Sequence, residues 1–312
     1  MDIQQVNGVL WQKDLQSRAD LIGNPLECFA YYTGADTAFK ILSSGRVFMR
    51  DTRLMNDSAE ISYGRFLLDS AIKDNETFSS FLAKAVPEYQ SELRRALAED
   101  YGNLSNLGQR TFITSLSRHN LQKDYLGRLS MWRGYGGVDG VALLIGTSSF
   151  NGSNDWTGVY SSPVVYTSPQ DFRDEFTSVF EKLLAMDIDW ATVDHDDLRQ
   201  SLSDYFLNIC INYKHPGFAE EREWRIFSRP DTILSPYTYE STEIVRGVPQ
   251  RVLSLDIGGP AGNPASHLIG ALVGPARQQD VIREALVYEF LRLGLSDAAA
   301  RVQTSPTPWV TS

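Results

Sequence analysis

Residues 140–166 read GVALLIGTSSFNGSNDWTGVYSSPVVY. An unbroken apolar run, Gly140–Ile145, gives way to a polar stretch rich in Gly, Ser and Asn. Val159–Tyr166 follows, with β-branched and aromatic residues. Short runs of this kind, bounded by turn residues, predict strands. The two are hairpin-compatible, so the sheet is expected to be mostly antiparallel or mixed.

Working outward, Cys28–Tyr32 (CFAYY), Val47–Met49, Arg110–Leu116 (RTFITSL), Glu221–Phe227, Arg251–Asp256 and Leu268–Val273 also predict strands. Helices are expected over Thr33–Ser44, Asp57–Asp74, Thr77–Asp100 with a break near Pro87, Phe172–Leu184, Asp196–Asn212 and Gln279–Leu293. Thr33 is the expected N-cap of the first, and Gly45 its stop. Residues 1–27 read as an irregular or weakly helical lead-in. Strands run from end to end with helices between them, which predicts an α+β fold with a mixed or antiparallel sheet. Residues 28–312 are expected to form a single domain, with accessory helical insertions at about 57–108 and 170–213.

The chain has 312 residues, 42% hydrophobic and 22% charged, which suits a globular protein with a real core. With 29 Lys and Arg against 39 Asp and Glu, its net charge of -10 argues against non-specific DNA wrapping. Two cysteines, Cys28 and Cys210, exclude a disulfide scaffold. Four histidines, at 119, 195, 215 and 267, show no metal-ligand spacing, so no metal is expected. Neither a membrane span nor a signal peptide is visible. A cytoplasmic location is the default, and export by a contact-dependent machine would leave no mark here. No GxGxxG follows a strand, and there is no GxxxxGK[ST].

Four clusters carry chemistry, each with a plainer reading beside it. Tyr31-Tyr32-Thr33 stands at a strand-to-helix junction, where free N–H groups suit a phosphate; it also reads as two core aromatics and a cap. Met55-Asn56-Asp57 with Glu60 fits a helix cap, while Asn56 is spare for a ligand. Ser115-Leu116-Ser117 precedes Trp132-Arg133-Gly134-Tyr135-Gly136-Gly137. Trp132 or Tyr135 could stack on a planar ring and Arg133 could pair with phosphate, or the run is an aromatic turn. In Glu221–Phe227, alternation puts Trp224 and Ile226 on a core face and Glu221, Glu223 and Arg225 on the other. That second face is either solvated or a cleft wall. In the cleft reading, Glu223→Gln should hardly change folding.

In order, Tyr-Tyr-Thr at 31–33, Ile41-Leu42-x-x-Gly45, Met55-Asn56-Asp57-x-x-Glu60, Ser115-Leu116-Ser117, Trp132-Arg133-x-Tyr135-Gly136, Glu221-x-Glu223-Trp224-Arg225, Val273-Gly274-Pro275 and Ser305-Pro306-x-Pro308 resemble the bacterial Domain of Unknown Function 2971 family. The resemblance spans roughly residues 28–309. More distantly, Tyr31–Thr33, Ile41–Gly45 and the late glutamates are similar to DarT-type ADP-ribosyltransferases, with Tyr31 where those enzymes carry a histidine. That similarity implies their split-sheet fold, NAD as co-substrate, and a catalytic glutamate, Glu223 first and Glu221 second. Tyr31, Tyr32, Thr33, Asn56, Ser115 and Arg225 would then bind the nucleotide, Arg133 its pyrophosphate, and Trp132 or Tyr135 a ring. It further implies a bacterial toxin, antiviral defence or effector protein. The acceptor would be a protein or a nucleic acid, and an immunity or antitoxin protein the partner. The same pocket suits two other readings, an NAD glycohydrolase and a nucleotide-binding sensor without turnover.

Overall fold

The computed structural model describes residues 2–52, 59–102, 111–150, 159–230, 235–245, 247–258 and 263–308. The chain begins with α1 (Asp2–Leu10), α2 (Gln12–Ile22), β1 (Glu27–Gly34), α3 (Ala35–Ser44) and β2 (Arg46–Asp51). Next come α4 (Ala59–Ile72), α5 (Glu76–Ala85), α6 (Gln90–Gly102), β3 (Phe112–Asn120), β4 (Gly140–Gly146), β5 (Tyr160–Pro163) and β6 (Val165–Tyr166). Then follow α7 (Pro169–Ala185), α8 (His195–Asn212), β7 (Tyr213–Lys214), β8 (Glu223–Ser228), β9 (Thr238–Val245) and β10 (Val248–Asp256). β11 (Leu268–Val273), α9 (Gln279–Arg292) and β12 (Val302–Thr304) complete it.

These elements gather into two compact units. One takes Met1–Ser17, Arg53–Gln109 and Pro163–Ala219; the other takes Arg18–Thr52, Arg110–Ser162 and Glu220–Ser312. The first is mostly helical. Ser168 caps α7 by accepting from the Asp171 amide, and Asp194 caps α8 by accepting from Asp196 and Asp197. Phe172, Phe176 and Phe180 recur every fourth residue of α7 and share one face. They meet Phe78, Phe81 and Phe206, with centroids as close as 4.7 Å between Phe78 and Phe180. Gly64 lets α4 lie directly against α8, since a Cβ there would stand 2.5 Å from the Ile209 carbonyl oxygen.

The second unit is built on a ten-stranded sheet: eight strands follow the order β12-β11-β4-β1-β3-β2-β10-β9, and β8, with β5 beyond it, branches from β3. The pairs along this order are antiparallel except β11 with β12, and β3 with β8 is antiparallel too, so the sheet is mixed, as expected for this α+β chain. β4 and β5 form no hairpin: β4 pairs with β1 and β11, and β5 with β8. Pro163 ends β5, and the rest of the expected strand, β6, pairs with β7 instead. A proline lacks the ladder donor, so the run divides there.

β3 organises the sheet. One edge pairs with β8 from Phe112 to Ser117. The other is shared: β1 holds Ser117–Asn120, while β2 holds Phe112 and Ile113. Between them, Thr114–Leu116 meets neither strand on that edge, and the sheet forks there. One face of the sheet is the main core, with Phe29, Leu116, Val141, Leu143, Trp224, Ile226 and Leu253 under Ile41 and Leu42 of α3 and Leu286 and Phe290 of α9. The opposite face carries Cys28, Ala30, Tyr32, Ala142, Leu144 and Leu272, packed with Met131 and Trp132.

Three local expectations are corrected. The lead-in is firmly helical, in α1 and α2. The cap of α3 is Gly34, without a side-chain bond, because β1 continues through Thr33. Gly45 does stop α3, at φ 68°. β8 begins at Glu223 rather than Glu221.

Two glycines in the helical unit should respond with opposite signs. Gly64→Ala should destabilise by about 1–3 kcal/mol, because the methyl meets backbone atoms that cannot swing aside. Gly8→Ala, in α1 with nothing within 4 Å of its Cβ, should stabilise by about 0.5–1 kcal/mol. Chemical denaturation of the two variants measures both shifts, and an unchanged Gly64→Ala midpoint would refute the close crossing.

Candidate functional site

The register fixes which side chains share a face. Ser117 pairs with both Ala30 and Glu223, and Ser115 pairs with Arg225. Ser115, Ser117, Glu223 and Arg225 therefore lie on the same face as Ala30 and Tyr32. Ser115 Oγ donates to Glu223 Oε1 at 2.5 Å. Arg225 Nε donates to the same oxygen at 2.8 Å, and its Nη2 reaches Oε2 at 3.3 Å. Glu223 is 7% exposed and Arg225 1%, so this is a buried ion pair rather than a solvated strand face. Ser115 is half-buried.

Glu221 does not join that row. Arg222 sits at φ 45°, in the left-handed region, and breaks the alternation before β8 starts. Glu221 ends a 3-10 turn and contributes its backbone carbonyl, which accepts from Ser117 Oγ at 2.6 Å. A non-glycine residue held there costs roughly 1 kcal/mol or more, so surrounding bonds must fix it. They do: the Arg222 carbonyl accepts from the Arg118 amide at 2.8 Å, and Arg222 Nη1 lies 3.4 Å from Asp124 Oδ2.

Asp124 and Arg128 were not singled out by sequence, and their i,i+4 charge spacing is the signal that marks them. Asp124 Oδ2 accepts from the Asn120 amide and from Arg128 Nη2, each at 2.8 Å. Buried Arg128 also donates to Ser117 Oγ, and its amide donates to the Tyr32 hydroxyl at 3.1 Å. The loop after β3 is thereby tied down over the face that carries Glu223.

Trp132 is not a stacking platform. It is 4% exposed, with Tyr32 edge-on at 4.7 Å and its Nε1 donating to the Leu126 carbonyl. Glycines make room for the indole: a Cβ at Gly127 or Gly274 would come within 2.5 or 2.7 Å of it. Arg133 and Tyr135 remain exposed on the π-helical turn Trp132–Gly136.

Tyr31 points the other way. Adjacent residues of a strand alternate, so it lies on the core face beside Phe29, with its hydroxyl bonded to the Thr114 side chain near Arg50. Burial raises its pKa, and those two groups oppose the shift. Thr33, buried, is on that face too. The structure thus brings together Ser115, Glu223 and Arg225, with Tyr32 on the same face of the sheet, and puts Tyr31 and Thr33 on the other. Asn56 lies outside the described residues. Among the described residues no cluster of three His, Cys, Asp or Glu could hold a metal ion, and no helix is long and apolar enough to cross a membrane. In the helical unit, a recess of about 650 Å³ lined by Tyr89, Glu92, His195 and Arg199 gathers none of the residues nominated from sequence.

Further along the same face, Cys28 pairs across the ladder with His119. Burial pushes the thiol up to about 12 and the imidazole down to about 4, so both are neutral at pH 7 and no nucleophilic pair exists. Below its usual pKa near 6.5 the unfolded imidazole takes a proton that the folded one refuses. Stability from this group is complete above about pH 6.5, and is lost as pH falls towards 4, at about 1.4 kcal/mol per unit. His119→Gln should therefore flatten the decline in stability between pH 6.5 and 4.5. An identical pH profile for the two proteins would show that His119 takes no part in acid unfolding.

Residues 131–226 match the family model described as protein of unknown function (DUF2971). No curated protein and no solved structure matches the chain. The matched segment opens one residue before Trp132 and closes one residue after Arg225, so it holds the Trp132–Gly136 turn and the Glu223–Arg225 pair. β1 and β3 fall outside it. The resemblance expected over roughly residues 28–309 is matched from Met131 to Ile226, less than a third of the chain.

Proposed function

We propose that the protein is an NAD-dependent ADP-ribosyltransferase in which Glu223 holds the nicotinamide ribose. The observation that carries this reading is the fixed carboxylate. Glu223 is gripped by Ser115 and Arg225 beside the fork of the sheet, on the face over which the Trp132–Gly136 turn packs. NAD supplies a ribose whose bond to nicotinamide breaks with the electron pair leaving on nicotinamide. Positive charge then develops at the ribose, and a preorganised carboxylate stabilises it. In this reading the Glu223 carboxylate is the group that meets a ribose hydroxyl. Arg133, exposed on the turn, suits the pyrophosphate, and exposed Tyr135 suits a ring. The donor set fits a nucleotide in these respects. Trp132 and Tyr31 have no part in it. The nucleophile of the acceptor, on a protein or a nucleic acid, takes the ribose and loses its proton.

One observation favours a second reading, nucleotide binding without turnover. Arg225 offsets the charge of Glu223 in the resting site. An arginine that stays paired would weaken the stabilisation that catalysis needs.

Labelled NAD separates the readings. The transferase releases nicotinamide and leaves label on a macromolecule; a glycohydrolase releases nicotinamide and free ADP-ribose; a sensor binds NAD and releases nothing. No binding and no release would remove the NAD reading. Glu223→Gln should lower nicotinamide release on the order of 10²-fold or more, with a smaller loss for Glu221→Gln. The substitution is not silent for folding, as a cleft-facing residue would be. It leaves Arg225 buried without its counter-charge, at about 3–5 kcal/mol. Ser115→Ala keeps the ion pair, and should lower release several-fold at a nearly unchanged melting temperature. Undiminished release from a folded Glu223→Gln variant would exclude the carboxylate mechanism.

A further inference from the structure

α9 buries Leu286 and Phe290 against the sheet, yet its outward side is also apolar. Val281, Tyr288 and Leu291 are 62%, 66% and 51% exposed, and Ala285 is exposed among them. Glu284 and Arg292 flank this stripe, both exposed. Arg292 already meets Glu289 at 2.7 Å, whereas Glu284 has no ion pair among the described residues. At 100° per residue, these six positions fall within an arc of about 120° centred near Tyr288. A surface helix normally shows solvent a charged side there.

We infer that this face is a dimer contact, in which α9 packs antiparallel against α9 of a second copy about a twofold axis through Tyr288. The positions on either side of Tyr288 are self-complementary. Glu284 and Arg292 each lie four residues from Tyr288, about 6 Å along the axis and about 40° to opposite sides. A twofold turn through Tyr288 brings Glu284 beside the partner's Arg292, and does so twice. A parallel arrangement would juxtapose like charges instead. Twofold contacts of this isologous kind are the commonest in homo-oligomers. One helix of 14 residues is about 21 Å long, so the contact is small and the dimer is reversible.

The geometry is tested by cross-linking the full-length chain. Cys28 and Cys210 are both buried, so an introduced cysteine is the reactive one. Facing helices 8–10 Å apart bring the two axial Cα atoms to about 5 Å, within disulfide range. Tyr288→Cys should form a disulfide-linked dimer under mild oxidation. Val281→Cys should not, because its two copies stand about 21 Å apart along the axis. With increasing concentration, light scattering of the wild type should rise from 35.0 kDa towards twice that mass. Leu291→Glu should weaken association at least tenfold. Glu284→Arg should do the same, and adding Arg292→Glu should restore it. A monomer at every concentration would overturn the proposal. So would equal cross-linking at 281 and 288, or a dimer indifferent to Leu291→Glu and the charge swap.

Discussion

Everything about the sheet turns on β3 having a partner along both edges. Ser117 bonds into β1 through Ala30 and into β8 through Glu223, so the position of the late glutamate is fixed relative to the first strand of the chain. Its neighbour Leu116 does the matching work underneath, where it packs with Phe29 and Trp224 in one core. Hydrogen-bond register and apolar packing agree at these residues, and a slip by one residue would exchange the two faces outright. It would put Glu223 and Arg225 into the apolar core and expose Trp224. The cost of that exchange is what holds the polar row in place.

Much of the fold was legible where the signal is local. Phe172, Phe176 and Phe180 recur every four residues, Gly45 stands where a left-handed stop is required, and β4 is an unbroken apolar run. β9 escaped notice because Thr238–Val245 places Glu240, Glu243 and Ile244 at exposed or half-exposed positions and has no buried face to declare itself. Its pairing with β10 makes it a strand. Pairing partners were equally invisible. Nothing within 140–166 says that β4 joins β1 and β11 while β5 joins β8. At the candidate site, the Glu223–Arg225 pairing was readable from two-residue spacing. The exclusion of Glu221 was not, because it depends on the left-handed Arg222. Trp132 looked like a ligand platform because the glycines that enclose it, Gly127, Gly140 and Gly274, come from three separate segments.

Two charges on the polar face are held in the same way. Glu223 and Arg128 each have both a counter-ion and a neutral hydrogen-bonding group: Glu223 has Arg225 and Ser115, and Arg128 has Asp124 and Ser117. Burying a pair costs several kcal/mol per ion before attraction and hydrogen bonds offset it, so such pairs add little net stability. What they provide is direction. A carboxylate held by two donors cannot reorient when a substrate arrives, which is the condition for electrostatic preorganisation. The left-handed Arg222 belongs to the same arrangement, since its cost is tolerated where neighbouring bonds over-determine it.

The two units are threaded through one another along the chain, three segments each, in strict alternation. That has a consequence for synthesis on the ribosome. The helical unit has received its last segment at Ala219, while the sheet still lacks β8 through β12. Until then β3 presents an open edge from Phe112 to Ser117, and β4 lacks β11. Unpaired strand edges are where nascent chains aggregate or engage chaperones. The polar row on β3, with Ser115 and Ser117 in place of apolar residues, makes that waiting edge less adhesive until Glu223 and Arg225 emerge to complete it.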